Sequence, residues 1–244
     1  MMYQNYVFDL YGTLLDIHTD EWSKNFYKKY VKWLKKQGYV FEWKKFRKEY
    51  LALEQKARQN AKAAGVYQKP EIQIEEVVQE VFARKGYHLT EEEILFLCEN
   101  YRRTSLIYLS LFPDTIACLE ELKKAGKKIY LLSNAQRSFT WQELEQTGLV
   151  PYFDGILISS DEGCMKPDPA FYQILCDRYQ LKKEECVMIG NELKSDMAGA
   201  AASGMDGFFI NREALFREPK KVEYRYVSKN GSLMEVLEQT GIRK

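Results

Sequence analysis

An aspartate that follows a short apolar run is the first residue of the chain that could carry out covalent chemistry. Tyr6, Val7 and Phe8 lead into Asp9, and the chain then turns at Gly12. This is the pattern of a short buried strand that delivers a carboxylate to the edge of a sheet, where open α/β folds bind ligands. A carboxylate placed there can attack phosphorus or carbon and form an intermediate that water later cleaves. An aspartate after a strand can equally cap a turn, so this stretch alone leaves both interpretations open.

Polar residues also follow the later apolar runs of the chain. Because the carboxyl ends of parallel strands meet at one edge of a sheet, we expect these residues to converge on Asp9. They are Ser133 and Asn134, which follow a run at 128–132, Lys166, which lies beyond a run at 155–158, and Asn191, Glu192 and Asp196, which follow a run at 186–189.

Together these side chains form a set that could transfer a charged group. Asp9 would attack, Ser133 and nearby backbone amides would hold the transferring group, and Lys166 would neutralise its charge. Mg²⁺ prefers few carboxylates together with water and phosphate oxygens, so Asp9, the Tyr11 carbonyl and an acid of the last cluster could bind it. Each of these residues alone also has a structural explanation, for example as a helix cap or a surface lysine. Their order, with one group at each strand end, favours the functional explanation.

The spacing of apolar residues predicts an α/β protein with a doubly wound parallel sheet. Predicted strands at 128–132, 155–158, 186–189, 207–210 and 224–227 alternate with predicted helices at 115–125, 140–147, 169–179, 195–203 and 232–239. Strands that alternate with helices in this way form parallel sheets with right-handed crossovers. From 19 to 99 the apolar residues instead have helical spacing, which predicts roughly four helices, one of them opened by a capping box at Thr90. We therefore predict a core domain of residues 1–16 and 100–244 and an inserted helical domain of residues 17–99.

The composition is that of an ordinary globular protein, with 45% hydrophobic residues, 29% charged residues and a net charge of +1. The balanced charge argues against a dedicated nucleic-acid binder. The five cysteines are scattered without metal-binding spacing, which is typical of a reducing compartment. Since neither a signal peptide nor a membrane-spanning stretch is recognisable, we expect a cytoplasmic protein that does not act on a membrane. Whether it is a monomer or a homodimer is left open.

Charge within the helical segment is uneven, because residues 15–62 hold thirteen Lys or Arg and only six acids. A basic surface that faces the cleft would attract a small anionic substrate. The same lysines are also explained as the solvated faces of amphipathic helices, and this is the interpretation we favour.

The polar residues at the predicted strand ends belong to four longer motifs. These are DLYGTL at 9–14, LLSN at 131–134, KPDPAFY at 166–172 and IGNELKSDMAGA at 189–200. In this order they resemble the motifs of the haloacid dehalogenase-like (HAD) hydrolase superfamily. The resemblance covers essentially the whole chain and implies a Rossmann-like core, with the helical insert as a cap of the C1 type. We therefore expect catalytic roles for Asp9, Tyr11 and Lys166, and substrate or phosphate contacts from Gly12, Thr13, Ser133, Asn134 and Lys166.

Two positions depart from the pattern of the phosphatases in this superfamily. Those enzymes usually carry a second Asp two residues after the nucleophile, where it protonates the leaving oxygen and then activates water, but here that residue is Tyr11. A phenol with a pKa of about 10 does not act as a base near pH 7 without a large shift. The Asp-x-Tyr-Gly-Thr form is similar to that of the L-2-haloacid dehalogenases, which use no metal. The second departure is Asn191, an amide that can ligate Mg²⁺ but adds no charge.

The hypothesis that we favour is a Mg²⁺-dependent phosphatase of a small phosphomonoester, which forms an aspartyl-phosphate on Asp9. The metal ligands would come from Asp9, the Tyr11 carbonyl and the loop that holds Asn191, Glu192 and Asp196. Glu192 keeps two acids in that loop, which favours a cation site. The missing acid at position 11 predicts slow turnover or a substrate with a good leaving group.

Two alternatives remain. In a metal-independent L-2-haloacid dehalogenase, Asp9 would displace halide and form an ester that Ser133, Asn134, Lys166 and Tyr172 support. That chemistry also needs an arginine of the cap to take up halide and carboxylate, for which Arg47 and Arg58 are candidates. The other alternative is a weakly active domain that binds a phosphorylated metabolite or a protein partner.

Overall fold

The computed structural model describes residues 3–212 and 222–243, which form a parallel sheet covered by helices and a separate helical unit. The first part of the chain comprises β1 (Asn5–Phe8), β2 (Leu15–Thr19), α1 (Lys24–Lys36), α2 (Trp43–Ala64), α3 (Ile74–Ala83), α4 (Glu91–Ser105) and β3 (Leu106–Leu111). The second part comprises α5 (Thr115–Lys124), β4 (Lys128–Ser133), α6 (Arg137–Gln146), β5 (Gly155–Ile158), α7 (Ser159–Glu162), α8 (Pro169–Tyr179), β6 (Cys186–Gly190), α9 (Ala198–Ser203), β7 (Asp206–Ile210), β8 (Tyr226–Ser228) and α10 (Met234–Gln239).

The six strands β5, β4, β1, β6, β7 and β8 lie in this order and are all parallel, which confirms the predicted doubly wound sheet. The first strand is central, since Phe8 of β1 pairs with Leu131 on one side and Ile189 on the other. Tyr6 and Phe8 pack into the cluster on one face of the sheet, and Val7 packs into the cluster on the other. A strand buried on both faces is apolar without alternation, which is why β1 is a continuous apolar run.

The four helices α1 to α4 bury a hydrophobic cluster of their own, which is rich in aromatic rings. Phe26 and Tyr30, one helical turn apart on α1, pack with Tyr101 of α4 at ring distances of 4.6 and 5.1 Å. The predicted capping box is present at the start of α4, where Thr90 and Glu93 satisfy each other's backbone N–H groups. The predicted helical insert therefore has an apolar interior separate from the two faces of the sheet.

The insert is connected to the sheet by an antiparallel ribbon that was not predicted from the sequence. Strands β2 and β3 pair with each other from Leu15 opposite Leu111 to Thr19 opposite Leu106. Both strands are short, and each forms its backbone hydrogen bonds with the other, which lies about ninety residues away in the chain. The boundary that we predicted between residues 99 and 100 falls inside α4, and Tyr101, which lies beyond that boundary, still packs into the hydrophobic cluster of the insert.

Smaller differences between prediction and structure lie in the bounds of three elements in the second half of the chain. The predicted helix at 195–203 is a π-helical turn, Leu193–Met197, followed by α9. The predicted helix at 140–147 begins earlier, at Arg137, and the last strand begins at Tyr226. No helix in the described parts of the chain is both long and apolar enough to cross a membrane.

Candidate active site

A buried ion triad lies at the carboxyl end of the central strands. Asp9 follows β1, and its N–H donates to the carbonyl of Ile189 at 2.9 Å. The ammonium group of Lys166 lies 2.6 Å from Asp9 Oδ1 and 2.8 Å from Asp196 Oδ1. The chain thus brings together three of the predicted residues from distant positions, and one buried lysine bridges two carboxylates.

The loop that carries Lys166 is fixed by Asn134. Asn134 Oδ1 accepts a hydrogen bond from the Lys166 N–H at 2.8 Å, and Asn134 Nδ2 donates to the Lys166 carbonyl at 3.0 Å. These paired bonds hold the end of β4 to the loop before α8. Asn134 therefore orients the lysine that neutralises Asp9.

Asp196 is engaged through both of its carboxylate oxygens. Oδ1 is paired with Lys166, and Oδ2 accepts from the N–H of Glu192 at 2.9 Å. The hydroxyl of Tyr172 donates to the Asp196 carbonyl at 2.9 Å. A side chain at Gly190 would collide with Asp196, since a Cβ there would lie 2.2 Å from Oδ2. In this geometry Asp196 orients Lys166 and closes its own loop.

The second oxygen of Asp9 is much less constrained than the first. Thr13 Oγ1 lies 3.3 Å from Asp9 Oδ2 and 3.1 Å from Asn191 Oδ1, and a hydroxyl has one hydrogen to donate. Asp9 also lines a cavity of about 880 Å³, together with Gly12, Lys166 and Asn191. Asp9 Oδ2 is therefore the oxygen that can attack a bound substrate.

Burial and a second carboxylate make Asp9 a stronger base than an exposed aspartate. Burial raises the pKa of Asp9 to about 6, with Lys166 opposing this shift and the charge of Asp196 adding to it. Burial by itself lowers the pKa of Lys166, but the two carboxylates beside it raise that pKa above the ordinary value. Near neutral pH the site therefore holds an ionised nucleophile beside a charged lysine.

Ser133 supplies a hydrogen-bond donor without a protein partner. It is fully buried at the end of β4, and its hydroxyl has no hydrogen-bond partner among the residues that the structure describes. An unpartnered buried hydroxyl is costly, so a group that accepts its hydrogen would be bound favourably. An oxygen of a phosphate or carboxylate would fit.

The hydroxyl of Tyr11 belongs to a different hydrogen-bond network, which does not include Asp9. Its hydroxyl donates to Glu143 on α6 and lies 2.9 Å from Thr140 Oγ1. Arg102 of α4 donates to Glu143 at 2.7 Å and lies over the Tyr11 ring. Burial, followed by the charge of Glu143, raises the pKa of Tyr11 well above that of a free phenol. The single hydroxyl hydrogen is thus already donated, and this geometry gives Tyr11 no acid or base role toward a substrate on Asp9.

Glu143 and Arg102 were missed by the sequence analysis. Each lies among other charged residues on an amphipathic helix, where most charged side chains are solvated. Only packing shows that Glu143 is buried and that its carboxylate joins the helical insert to the core.

A metal site in this cleft would need neutral oxygen ligands. In residues 3–212 and 222–243, no group of three or more His, Cys, Asp or Glu side chains is arranged to hold a metal ion. Asp9, the Tyr11 carbonyl and the Asn191 amide nevertheless offer one carboxylate and two neutral oxygens beside an open cavity. This is a donor set that Mg²⁺ accepts when water and substrate oxygens complete the shell. The residues fit a weakly held Mg²⁺, with Glu192 nearby and exposed, although its carboxylate accepts a hydrogen bond from Ser195 at 2.6 Å.

Comparison with known proteins identifies the family. A family model for haloacid dehalogenase-like hydrolases matches residues 3–204. The chain belongs to this family. It is therefore a HAD-like hydrolase, and the order of its four motifs is explained by common descent.

Relatives in this family carry out two kinds of hydrolysis. The chain is 29% identical over 138 residues to a glyceraldehyde 3-phosphate phosphatase of Methanothermobacter thermautotrophicus, and this match covers 57% of the chain and 59% of that enzyme. It is 28% identical to an (S)-2-haloacid dehalogenase 4A of Burkholderia cepacia, over 85% of the chain and 82% of that enzyme. The chain spans about half of the length of the phosphatases that it matches.

Solved structures share the fold over nearly the entire chain. A 2-haloacid dehalogenase of Pseudomonas syringae superposes with a TM-score of 0.67 at 21% identity, covering 98% of this chain and 99% of that one. A HAD phosphatase of Thermococcus onnurineus superposes with a TM-score of 0.60 at 24% identity, covering 98% of each chain.

The turn at Gly12 gives a test of the close packing beside Asp9. Gly12 has φ +79°, and a Cβ there would lie 2.2 Å from Asn191 Nδ2, whereas Gly65 has φ +66° with no atom within 4 Å. Both Gly12→Ala and Gly65→Ala introduce backbone strain, but only Gly12→Ala adds a collision. We expect Gly12→Ala to lower the free energy of unfolding by about 2–3 kcal/mol and Gly65→Ala by about 1 kcal/mol, as measured by urea denaturation. Equal losses in the two variants would contradict this account of the turn.

Removing the bridging lysine tests the ion triad. Lys166→Met leaves Asp9 and Asp196 buried without a cation, so we expect a loss of about 3–5 kcal/mol in the free energy of unfolding at pH 8. Without Lys166 the pKa of Asp9 rises further above its unfolded value, and the folded variant binds protons more tightly than the unfolded chain. The difference in the free energy of unfolding between wild type and Lys166→Met should therefore become smaller as the pH is lowered from 8 to 5. Lys194→Met, at an exposed position beside the cavity, should change stability little, and a pH-independent deficit in Lys166→Met would oppose the assignment.

Proposed function

We propose that the protein is a Mg²⁺-dependent phosphatase of a small phosphomonoester that forms an aspartyl-phosphate on Asp9. The observation that carries this proposal is the asymmetry of the Asp9 carboxylate. Lys166 holds Oδ1 at 2.6 Å, whereas Oδ2 has only a long contact with the Thr13 hydroxyl at 3.3 Å, and Asp9 lines the cavity. Ser133 ends the neighbouring strand β4, and its hydroxyl has no partner among the described residues, so the site offers both a nucleophile and an unused donor for phosphoryl transfer.

The residues present supply the nucleophile and the charge stabilisation for the transfer. Asp9 Oδ2 attacks phosphorus, the bond to the leaving oxygen breaks, and the phosphoryl group remains on Asp9. Water then attacks phosphorus and the bond between phosphorus and Asp9 Oδ2 breaks, which releases inorganic phosphate and a proton to solvent and regenerates the carboxylate. Lys166 offsets negative charge at Asp9, and Ser133 and Thr13 donate to phosphoryl oxygens. Mg²⁺ bound by Asp9, the Tyr11 carbonyl and Asn191 would neutralise phosphate charge.

The position of Tyr11 restricts the choice of leaving group. Its hydroxyl is already donated to Glu143, so no side chain at that position supplies a proton to the leaving oxygen. Esters whose leaving group is stable as an anion, such as aryl or acyl phosphates, would react fastest. We further propose that α1 to α4 act as the cap, which closes over the cleft and excludes water.

The relatives support phosphate-ester hydrolysis without identifying the substrate. An N-acylneuraminate-9-phosphatase of Homo sapiens is 28% identical over 142 residues, which adds a second phosphatase activity to that of the archaeal relative. The small anionic substrate, the cytoplasmic location and the choice between monomer and homodimer stay predictions.

A second candidate, dehalogenation, is favoured by Tyr11 and by the long match to the B. cepacia enzyme. The positions of the two candidate arginines argue against dehalogenation. Arg58 is paired with Glu54 and Glu71, each at 3.1 Å, and Arg47 donates to the Trp22 carbonyl at 3.3 Å and lies over the Tyr27 ring. Arg58 is thus occupied by two carboxylates, and Arg47 is not among the residues that line the cavity beside Asp9.

The two activities are separated by one set of assays. With p-nitrophenyl phosphate or acetyl phosphate we expect phosphate release that needs Mg²⁺, stops with EDTA and falls at least about 1,000-fold in Asp9→Asn. Acid quenching followed by mass spectrometry should find one phosphoryl group on the peptide that contains Asp9. The control is 2-chloropropionate without metal, from which a phosphatase releases no halide. Halide release together with the absence of phosphate release would replace the phosphatase with a dehalogenase.

Tyr11→Phe tests whether the phenol takes part in the reaction. Because the hydroxyl is bound to Glu143 and Thr140, we expect a loss of about 1–3 kcal/mol in the free energy of unfolding. The value of kcat for p-nitrophenyl phosphate should stay within about threefold of wild type, since no proton is needed from this side chain. A loss of kcat above about 100-fold in a folded variant would make Tyr11 a catalytic residue.

A further inference from the structure

A second cavity adjoins the one beside Asp9 and extends away from it toward the helical insert. It has a volume of about 510 Å³ and is lined by α2, α4 and α6, and the two cavities share Tyr11 and Asn134. Tyr50, Tyr101 and Phe139 give it aromatic walls. A molecule whose phosphate lies at Asp9 can therefore extend past Tyr11 and Asn134 into a space large enough for a small organic group.

Each of the two arginines that line this second cavity is already paired with two carboxylates. Arg58 lies 3.1 Å from Glu54 and 3.1 Å from Glu71. Arg102 lies 2.6 Å from Glu21 and 2.7 Å from Glu143. Each group of one guanidinium and two carboxylates carries a net charge of −1.

The lining therefore lacks an available cation. In the described part of the chain, Arg58 and Arg102 are the only Lys or Arg residues that line this cavity, and Glu21, Glu54 and Glu71 line it as well. The bridging lysine, Lys166, belongs to the other cavity. A negatively charged group would thus meet two clusters of its own sign and no free partner.

We propose that the second cavity is the leaving-group subsite and that its two Arg–Glu clusters select phosphomonoesters whose leaving group is neutral or positively charged. Esters whose leaving group carries a carboxylate or a second phosphate are rejected there. This inference rests on the proposed phosphatase function and adds the charge class of the substrate. Glu54 is the specificity-determining residue that can be changed most simply, because it lies on the surface of α2 and pairs with Arg58 of the same helix.

Three phosphate esters with two-carbon leaving groups test the charge rule at nearly constant size. The leaving group is neutral in ethyl phosphate, positively charged in phosphoethanolamine and negatively charged in 2-phosphoglycolate. With the wild-type protein and Mg²⁺ we expect kcat/KM for ethyl phosphate and phosphoethanolamine to exceed that for 2-phosphoglycolate at least about tenfold. Equal values, or a preference for 2-phosphoglycolate, would overturn the proposal.

Variants on one helix connect the selectivity to the cluster. Glu54→Gln makes the Arg58 cluster neutral, so the ratio of kcat/KM for 2-phosphoglycolate over ethyl phosphate should rise about fivefold to tenfold. Glu49→Gln is the matched control, since Glu49 is also on α2 but pairs with Arg84 and does not line the cavity. An unchanged ratio in a folded Glu54→Gln variant, or an equal rise in Glu49→Gln, would overturn the assignment of the subsite.

A binding measurement separates failure of this inference from failure of the phosphatase proposal. The phosphatase proposal fails if neither p-nitrophenyl phosphate nor acetyl phosphate is hydrolysed, and calorimetric binding of the three alkyl esters to Asp9→Asn tests the subsite even if none of the three is hydrolysed. Weaker binding of 2-phosphoglycolate than of ethyl phosphate, with the difference reduced by Glu54→Gln, supports the charge rule. Binding of all three with equal affinity, or of none of them, contradicts it.

Discussion

The bridging of two buried carboxylates by Lys166 is the interaction on which the rest of the site depends. Asp9 and Asp196 follow neighbouring strands of the sheet, and their charges would repel each other in a buried cleft without a cation between them. A buried ion group of this kind contributes little net stability compared with an apolar core, but removing one member is costly. The triad is therefore better explained by function, since it keeps a nucleophile charged in a place from which most water is excluded.

The second arrangement that shapes the molecule links the helical insert to the core through Arg102. Its guanidinium contacts Glu143 on α6 and Glu21 at the entrance to the insert, and Glu143 in turn accepts from Tyr11. A position two residues from the nucleophile is thus tied to the orientation of the insert. Tyr11 thereby takes part in the contact between the core and the helical insert, which gives its hydroxyl a structural partner.

The two networks differ in the groups that they offer to a charged ligand. The triad at Asp9 leaves one oxygen and the Ser133 hydroxyl available to a ligand, whereas the clusters around Arg58 and Arg102 leave no cation available. The cleft is therefore polarised, with donors at the phosphoryl end and a surplus of carboxylates at the other. Under the proposed function, recognition of the phosphoryl group and discrimination between leaving groups would therefore fall to different residues.

The sequence by itself determined the parallel sheet, the helical insert and the residues that meet at the sheet edge. Those features follow from local periodicity and from the rule that parallel strands end at one edge, so Asp9, Lys166 and Asp196 could be grouped before any coordinates were known. Tertiary structure alone decided the antiparallel ribbon, the direction of the Tyr11 hydroxyl and the burial of Glu143. Each of these depends on side chains or short strands that lie about forty residues or more apart in the chain, and no local pattern records which of them pair. A charged residue on an amphipathic helix looks the same in sequence whether it faces water or a buried arginine, and only packing distinguishes the two.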